Sequence, residues 1–248
     1  ICYNCLMSRF NFPILMYHSV AKTPRGTKMR SLHVSPNRFK LQMWLLKLIG
    51  YRGVCLSELY FHLKNQTNEK VIGLSFDDGY QNNHKIVMPI LKRYGFTATV
   101  YIVTNNIGET NVWDKSIGLS EHNLMNEKEI KNWIKNGMEI GSHTMNHKDL
   151  LTCSKKIAQE EIYQSKLDLE TKFETQIRHF CYPYGSFDNE IIELVKKSGY
   201  STATTTLRGR AKINKSLFSL PRVQITYHTL PHLFLLKILS SYEDNRKK

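Results

Sequence analysis

The stretch VIGLSFDDGY, residues Val71 to Tyr80, decides how the rest of the chain is read. Its first six residues form an apolar run of the kind that makes a buried parallel strand. The run then ends on two carboxylates and a glycine. Asp and Gly favour turns, so by itself this ending is open to two readings: a plain turn, or a strand that delivers carboxylates to a site. Side chains alternate along a strand. The second reading therefore predicts that Asp77 and Asp78 face opposite sides and do different work, one holding a cation and the other handling a proton.

Working outward, similar short apolar runs recur at Ile14–Tyr17, Thr97–Val103, Met138–Gly141, Ile177–Cys181, Ser201–Thr204 and Leu220–Ile225. Amphipathic segments separate most of them. Four of these segments end in LIGY (48–51), RYGF (93–96), KNGM (135–138) and KSGY (197–200). Each places a glycine where a helix C-terminus turns left-handed, just before a bulky apolar residue that starts the next strand. Ser35-Pro36, Asn126 with Glu129, and Asp188 supply matching N-terminal caps. About seven strand–helix units predict an α/β fold, a distorted (β/α)7-type barrel in a single domain. Residues 1–11 read as an N-terminal extension and 12–248 as the barrel. The segment 105–126 reads as a long excursion over one face, and 229–242 as an amphipathic helix that closes the barrel.

Bulk composition narrows the function classes. Hydrophobic content of 41% with 23% charged residues in 248 residues is that of a globular protein. A formal net charge of +14 favours anionic surroundings, including peripheral contact with an anionic surface. The lysines are spread along the chain, with a short run at Arg246, Lys247 and Lys248, and no aromatic–basic motif of a nucleic-acid module is present, so no nucleic-acid partner is expected. Five cysteines form no disulfide framework, and Cys2 with Cys5 lacks the second pair of a four-thiolate zinc site. No run of 18 apolar residues is present, so no transmembrane helix is expected.

In a β/α barrel the loops after the strands carry the chemistry. After the first strand comes His18, and after VIGLSF come Asp77 and Asp78. The GSHTMNH segment brings His143 and His147, and YPYG brings Tyr184. His143 and His147 stand four apart, a spacing that can aim two imidazoles at one cation. Alone the pair is a weak signal. It is not the zinc-protease signature, because Thr144, not Glu, follows His143. With a carboxylate from a neighbouring strand it becomes two histidines and one carboxylate, a set that leaves metal positions open for water and substrate.

FDDG, H-x-x-x-H and P-Y-G in this order resemble the polysaccharide deacetylase family, carbohydrate esterase family 4, over about residues 12 to 225. The N-terminal MYH is similar to the branch acting on poly-N-acetylglucosamine. The resemblance implies a distorted barrel that removes acetyl groups from N-acetylated amino sugars of chitin-, peptidoglycan- or poly-N-acetylglucosamine-like glycans, in an extracytoplasmic or cell-envelope setting. It implies that Asp78, His143 and His147 bind a divalent metal, zinc first, with cobalt, nickel or iron(II) as alternatives. It also implies that Asp77 is the general base and that the backbone N–H of Tyr184 is an oxyanion donor. Two positions depart from the family pattern. Cys181 stands where many members have Arg, and Leu220-Pro221-Arg222 stands where many have Leu-x-His. His18 is the expected substitute for the missing acid, with His228 its rival, and Arg222 the expected replacement for the missing Arg. A deacylase of small or lipid-linked amino sugars and an inactive glycan-binding barrel stay open as alternatives.

Overall fold

Eight parallel strands build the sheet: β1 (Ile14–Tyr17), β2 (Arg52–Val54), β3 (Val71–Phe76), β4 (Thr99–Ile102), β5 (Glu139–Ser142), β6 (His179–Cys181), β7 (Thr202–Arg208) and β8 (Leu220–Gln224). In this computed structural model residues 11–23, 28–117, 121–212 and 215–246 are described. Seven strands close on themselves in the order β1-β8-β7-β6-β5-β4-β3 and back to β1, where Ile14 to Tyr17 pair with Gly73 to Phe76. These seven are the runs expected from sequence.

The eighth strand, β2, is the unexpected one. β3 and β4 pair only at Ser75–Thr99 and Phe76–Val100, so they part toward the barrel floor. β2 fills the gap: it pairs with Val71 to Gly73, and Gly53 O accepts the Thr97 N–H at 3.1 Å. Only glycine fits at position 53, because a Cβ there would lie 2.6 Å from Leu74 and 2.8 Å from Phe96. Three residues between a helix end and the next helix carry no periodic signal, which is why sequence reading passes over them.

Helices α1 (Pro36–Leu48), α2 (Leu56–Asn65), α3 (Met88–Tyr94), α4 (Glu127–Lys135), α5 (Lys155–Phe173), α6 (Asn189–Lys197) and α7 (Pro231–Leu239) accompany the strands. The expected caps are formed: Ser35 accepts from Arg38 N, Asn126 and Glu129 close a capping box, and Asp188 accepts from Ile191 N. Gly50, Gly95, Gly137 and Gly199 all have φ between 67° and 81°, as a left-handed helix exit requires. Phe39, Met43 and Leu46 of α1, Trp133 of α4 and Ile162 and Leu169 of α5 bury one core with Leu74, Val100, Ile140 and Val223. Each such side chain contributes about 1.5–3 kcal/mol when fully buried.

Three expectations need correction or restriction. Asn11–Phe12 pairs antiparallel with Ala211–Lys212, so an extension ending at residue 11 would cut this ribbon. Cys2 and Cys5 lie outside the described residues. The C-terminal helix is shorter than 229–242: Leu230 is its extended cap, Pro231 its first residue, and Ser240 is already extended. Among the described residues no helix is long and apolar enough to cross a membrane.

Polar groups also occupy the barrel floor, an arrangement that sequence reading does not foresee. Thr99, Glu139, His179 and Thr202 open β4 to β7, with Thr99 opposite Glu139 and His179 opposite Thr202. Glu139 accepts from Ser57 Oγ, Ser57 N (3.2 Å) and Thr99 Oγ1 (2.5 Å). His179 Nε2 lies 2.9 Å from Ser57 Oγ, and its Nδ1 lies 2.8 Å from Thr202 Oγ1. The plug is a satisfied hydrogen-bond network, which is what makes polar burial tolerable.

Candidate active site

At the other end of the barrel β3 ends extended at Phe76, and the backbone then turns. Asp78 has φ 72° and Gly79 φ 74°. The left-handed residue undoes the alternation of the strand. Instead of facing opposite sides, both carboxylates reach the same centre, since ligand atoms of Asp77 and of Asp78 each lie within 4.8 Å of His143. Of the seven described non-glycine residues with positive φ, four are here: Asp78, Thr144, His147 and Tyr184. Such strained backbone persists where the surroundings over-determine it, commonly at functional sites.

Asp78, His143 and His147 form one buried cluster with donor atoms within 4.8 Å of one another. His147 Nε2 is 3.3 Å and His143 Nε2 3.5 Å from the same oxygen, Asp78 Oδ1. His143 Nδ1 lies 2.7 Å from the carbonyl of Cys181, which can only accept, so Nδ1 carries the proton. The Nε2 of His143 faces the Asp78 carboxylate, donating to it as an imidazolium or, once deprotonated, able to offer a lone pair to a metal. Ligands about 2.1 Å from a tetrahedral metal stand about 3.4 Å apart, so the residues present fit one. Asp78 is buried, which disfavours its charge, yet the two imidazoles hold it well below the ordinary carboxylate range.

The loop bearing both histidines is held from α5. Glu161 is 3% exposed and accepts from Met145 N (3.0 Å), Asn146 N (2.9 Å) and Asn146 Nδ2 (2.7 Å). Sequence reading missed it. Its signal is a carboxylate on the buried stripe of a helix, among Ala158, Ile162, Ser165 and Leu169. Trp113 in the 105–126 excursion stacks on His147 at 4.5 Å and 20°, and Tyr184 meets the same ring edge-on at 4.7 Å. Asn111 anchors the excursion, bonding Asp114 Oδ2 at 2.7 Å and accepting from His122 N at 2.5 Å.

Asp77 has different neighbours. Arg222, 1% exposed, reaches from β8 and grips it with two bonds, Nη1–Oδ1 at 2.6 Å and Nη2–Oδ2 at 2.8 Å. The same guanidinium donates to Thr205 O (2.8 Å) and touches Cys181 Sγ (3.3 Å), filling the space beside the cysteine. Burial raises the Asp77 pKa, but Arg222 more than offsets it and leaves the carboxyl below its ordinary value. His18 Nε2 stands 3.8 Å from Asp77 Oδ2 and keeps 18% side-chain exposure. His228 is exposed, against the ring of Tyr227, with its N–H on Thr226 Oγ1. Tyr184 follows Pro183 with φ 58°; a Cβ at Gly185 beside it would fall 1.9 Å from Thr206 Oγ1, so the turn requires glycine. The structure thus brings Asp77, Asp78, His143, His147, His18, Arg222 and Tyr184 to one end of the barrel, with His228 on its exposed rim.

This arrangement can be set beside known proteins. The family model described as polysaccharide deacetylase matches residues 64–203. The chain is 31% identical over 216 residues to YxkH of Bacillus subtilis, a candidate polysaccharide deacetylase, covering 86% of this chain and 71% of that one. It is 26% identical over 241 residues to the poly-β-1,6-N-acetyl-D-glucosamine N-deacetylase of Staphylococcus aureus, covering 88% and 80%. The fold matches Streptococcus pyogenes deacetylase PplD, solved in complex with acetate, with a TM-score of 0.80 and 28% identity over 92% of this chain and 98% of that one. With a closed seven-strand ring and a match over more than half of its length, this chain belongs to the polysaccharide deacetylase family.

Proposed function

We propose that the chain hydrolyses the N-acetyl group of amino sugars in a glycan, with a divalent metal at Asp78, His143 and His147. The observation that carries this reading is the division inside Asp77-Asp78: one carboxylate faces two imidazoles, the neighbouring one a guanidinium. When bound, the metal supplies Lewis acidity toward the acetamide and lowers the pKa of water. The protein residues perform the proton and orientation work. Asp77, kept ionised by Arg222, takes a proton from the attacking water. The backbone N–H of Tyr184 donates to the oxyanion that develops on the carbonyl. His18, beside Asp77, protonates the departing amine, which leaves poorly as an anion. Trp113, stacked on His147, and Tyr184, edge-on to it, fix its ring and wall the site.

The glycan favoured is a poly-N-acetylglucosamine-type polymer acted on outside the cytoplasm, supported by the Staphylococcus aureus relative and by the MYH sequence at His18. The test is acetate release from β-linked N-acetylglucosamine oligomers, measured after chelation and after adding back zinc, cobalt, nickel or iron(II). Acetate release that any of these metals restores is expected. Unchanged release after complete chelation would refute metal dependence, and no release from any acetylated glycan would refute the deacetylase reading.

A further inference from the structure

On the His18 side of the centre, two arginines surround one tyrosine. The guanidinium of Arg30 lies 3.9 Å and that of Arg38 5.2 Å from the ring centre of Tyr227. Arg38 also donates to the carbonyl of Tyr227, and Arg30 Nη2 reaches Thr23 O at 3.3 Å. Among the described residues neither guanidinium has a carboxylate partner, and the Nε of Arg30 is buried without a hydrogen bond. The nearby His33 is 5% exposed with its Nδ1 also unpartnered, and burial, then His122 and His18, push its pKa down to about 4.

The fold ties this cluster to the site. His33 pairs in register with Ser19, the residue after His18, and Tyr227 N donates to Ser31 O at 3.1 Å. Tyr227 itself follows β8, the strand that carries Arg222 and adjoins β1. Three residues span at most about 10 Å, so Arg30 lies within that reach of His33. Arg38 occupies the first turn of α1, which has no acidic residue there. A cation at a helix N-terminus opposes the helix dipole, and a locally unfavourable charge kept without compensation points to a function.

Resting on the deacetylase reading, we propose that Arg30 and Arg38, stacked on Tyr227, bind an oxyanion carried by the glycan on a sugar near the one being deacetylated. Within the poly-N-acetylglucosamine-type class, the preferred substrate is therefore a polymer that also bears phosphate or carboxylate groups rather than the unmodified neutral one. Both groups accept the paired N–H donors of a guanidinium, and the charge of +14 draws either toward the protein.

The test compares three N-acetylglucosamine tetramers of equal length: neutral, phosphate-bearing and carboxylate-bearing. Acetate release gives kcat and KM, and fluorescence anisotropy gives binding independently of turnover. At least one anionic tetramer is expected to show about tenfold higher kcat/KM than the neutral one, carried by KM, and which one names the source. The preference is expected to shrink between about 50 mM and about 500 mM salt. Arg30→Gln and Arg38→Gln should each remove most of it. Arg30→Lys should retain more of it than Arg30→Gln, and Lys40→Gln on the exposed face of α1 should leave it intact. Equal kcat/KM for all three tetramers overturns the proposal, as does a loss in the Gln variants that is the same on neutral and anionic tetramers. If no tetramer releases acetate, the deacetylase reading falls, while the anisotropy preference still decides the anion site. Arg30→Gln leaves the Arg38 bond to Tyr227 in place, so it decides the matter should Arg38→Gln unfold.

Discussion

Removing the charge of Glu139 at the barrel floor should destabilise the protein at neutral pH and flatten its acid sensitivity, with the catalytic end untouched. Burial raises the Glu139 pKa, but His179, Ser57 and Thr99 overcome it and hold the carboxyl at about 2. An unfolded glutamate titrates near about 4.3. Because the folded value is the lower one, the stabilisation is fully present above about pH 4.5 and is lost as pH falls through about 2. The difference corresponds to at most about 3 kcal/mol, and the 18% exposure of the side chain reduces it through solvent screening. For a domain of this size the undiscounted maximum is a fall in Tm of roughly 6–12 °C in Glu139→Gln at pH 7, and the screened value lies below it. Thermal melts by circular dichroism from pH 2 to pH 7 read the effect. The wild-type and variant curves should converge as pH falls through the window. Curves that stay parallel down to pH 2 would show that the carboxylate is not held ionised by its neighbours.

Further expectations concern the site. Asp78→Asn, His143→Ala and His147→Ala should each weaken metal binding about tenfold or more, read by elemental analysis after dialysis; wild-type occupancy in all three would refute the ligand set. Asp77→Asn should keep the metal and lose roughly 10²–10⁴ in kcat, and simultaneous loss of both would contradict the division between the two aspartates. His18→Ala should lose about 10²–10³ in kcat on acetamides while sparing esters with good leaving groups, whereas that selective loss in His228→Ala would move the acid to the rim. Glu161→Gln, which sets an amide N–H₂ or an uncharged oxygen against three donors, should lower metal affinity about 10–100-fold with the barrel still folded, since metal retention equal to wild type would leave the carboxylate a packing residue.

The ring strands and the residues of the site were legible because each is announced by its own local pattern: an apolar run, a cap, a glycine exit, then a titratable residue. What sequence reading could not see depends on registers between distant segments. β2 is only three residues long and exists because β3 and β4 part. The polar floor needs Thr99, Glu139, His179 and Thr202 to start neighbouring strands at one level, and no one of the four runs shows that by itself. The common direction of Asp77 and Asp78 depends on one dihedral angle, which alternation in an ideal strand gets wrong. Arg222 was legible only as a departure from a family pattern, since nothing local to Leu220-Pro221-Arg222 points across the barrel at Asp77. Glu161 was hidden by its own helix, where a carboxylate in the second turn of α5 gives no hint of the loop it supports.

Ring closure at β1 has a consequence for synthesis of the chain. β1 sits between β3 and β8, so its second neighbour emerges from the ribosome some two hundred residues after it does. Until then the nascent chain carries Asp77, Asp78, His143, His147 and Tyr184 on an open sheet whose last edge has no partner. Asp77 in that state has no guanidinium, and a buried unpaired carboxylate is costly enough to keep the surrounding barrel from settling. The candidate centre and the finished ring therefore arrive together, late, when Arg222 enters. A deacetylase built this way stays silent while it is being made, and a chain broken off before β8 would keep nearly every recognisable motif and lack the Arg222 grip on Asp77.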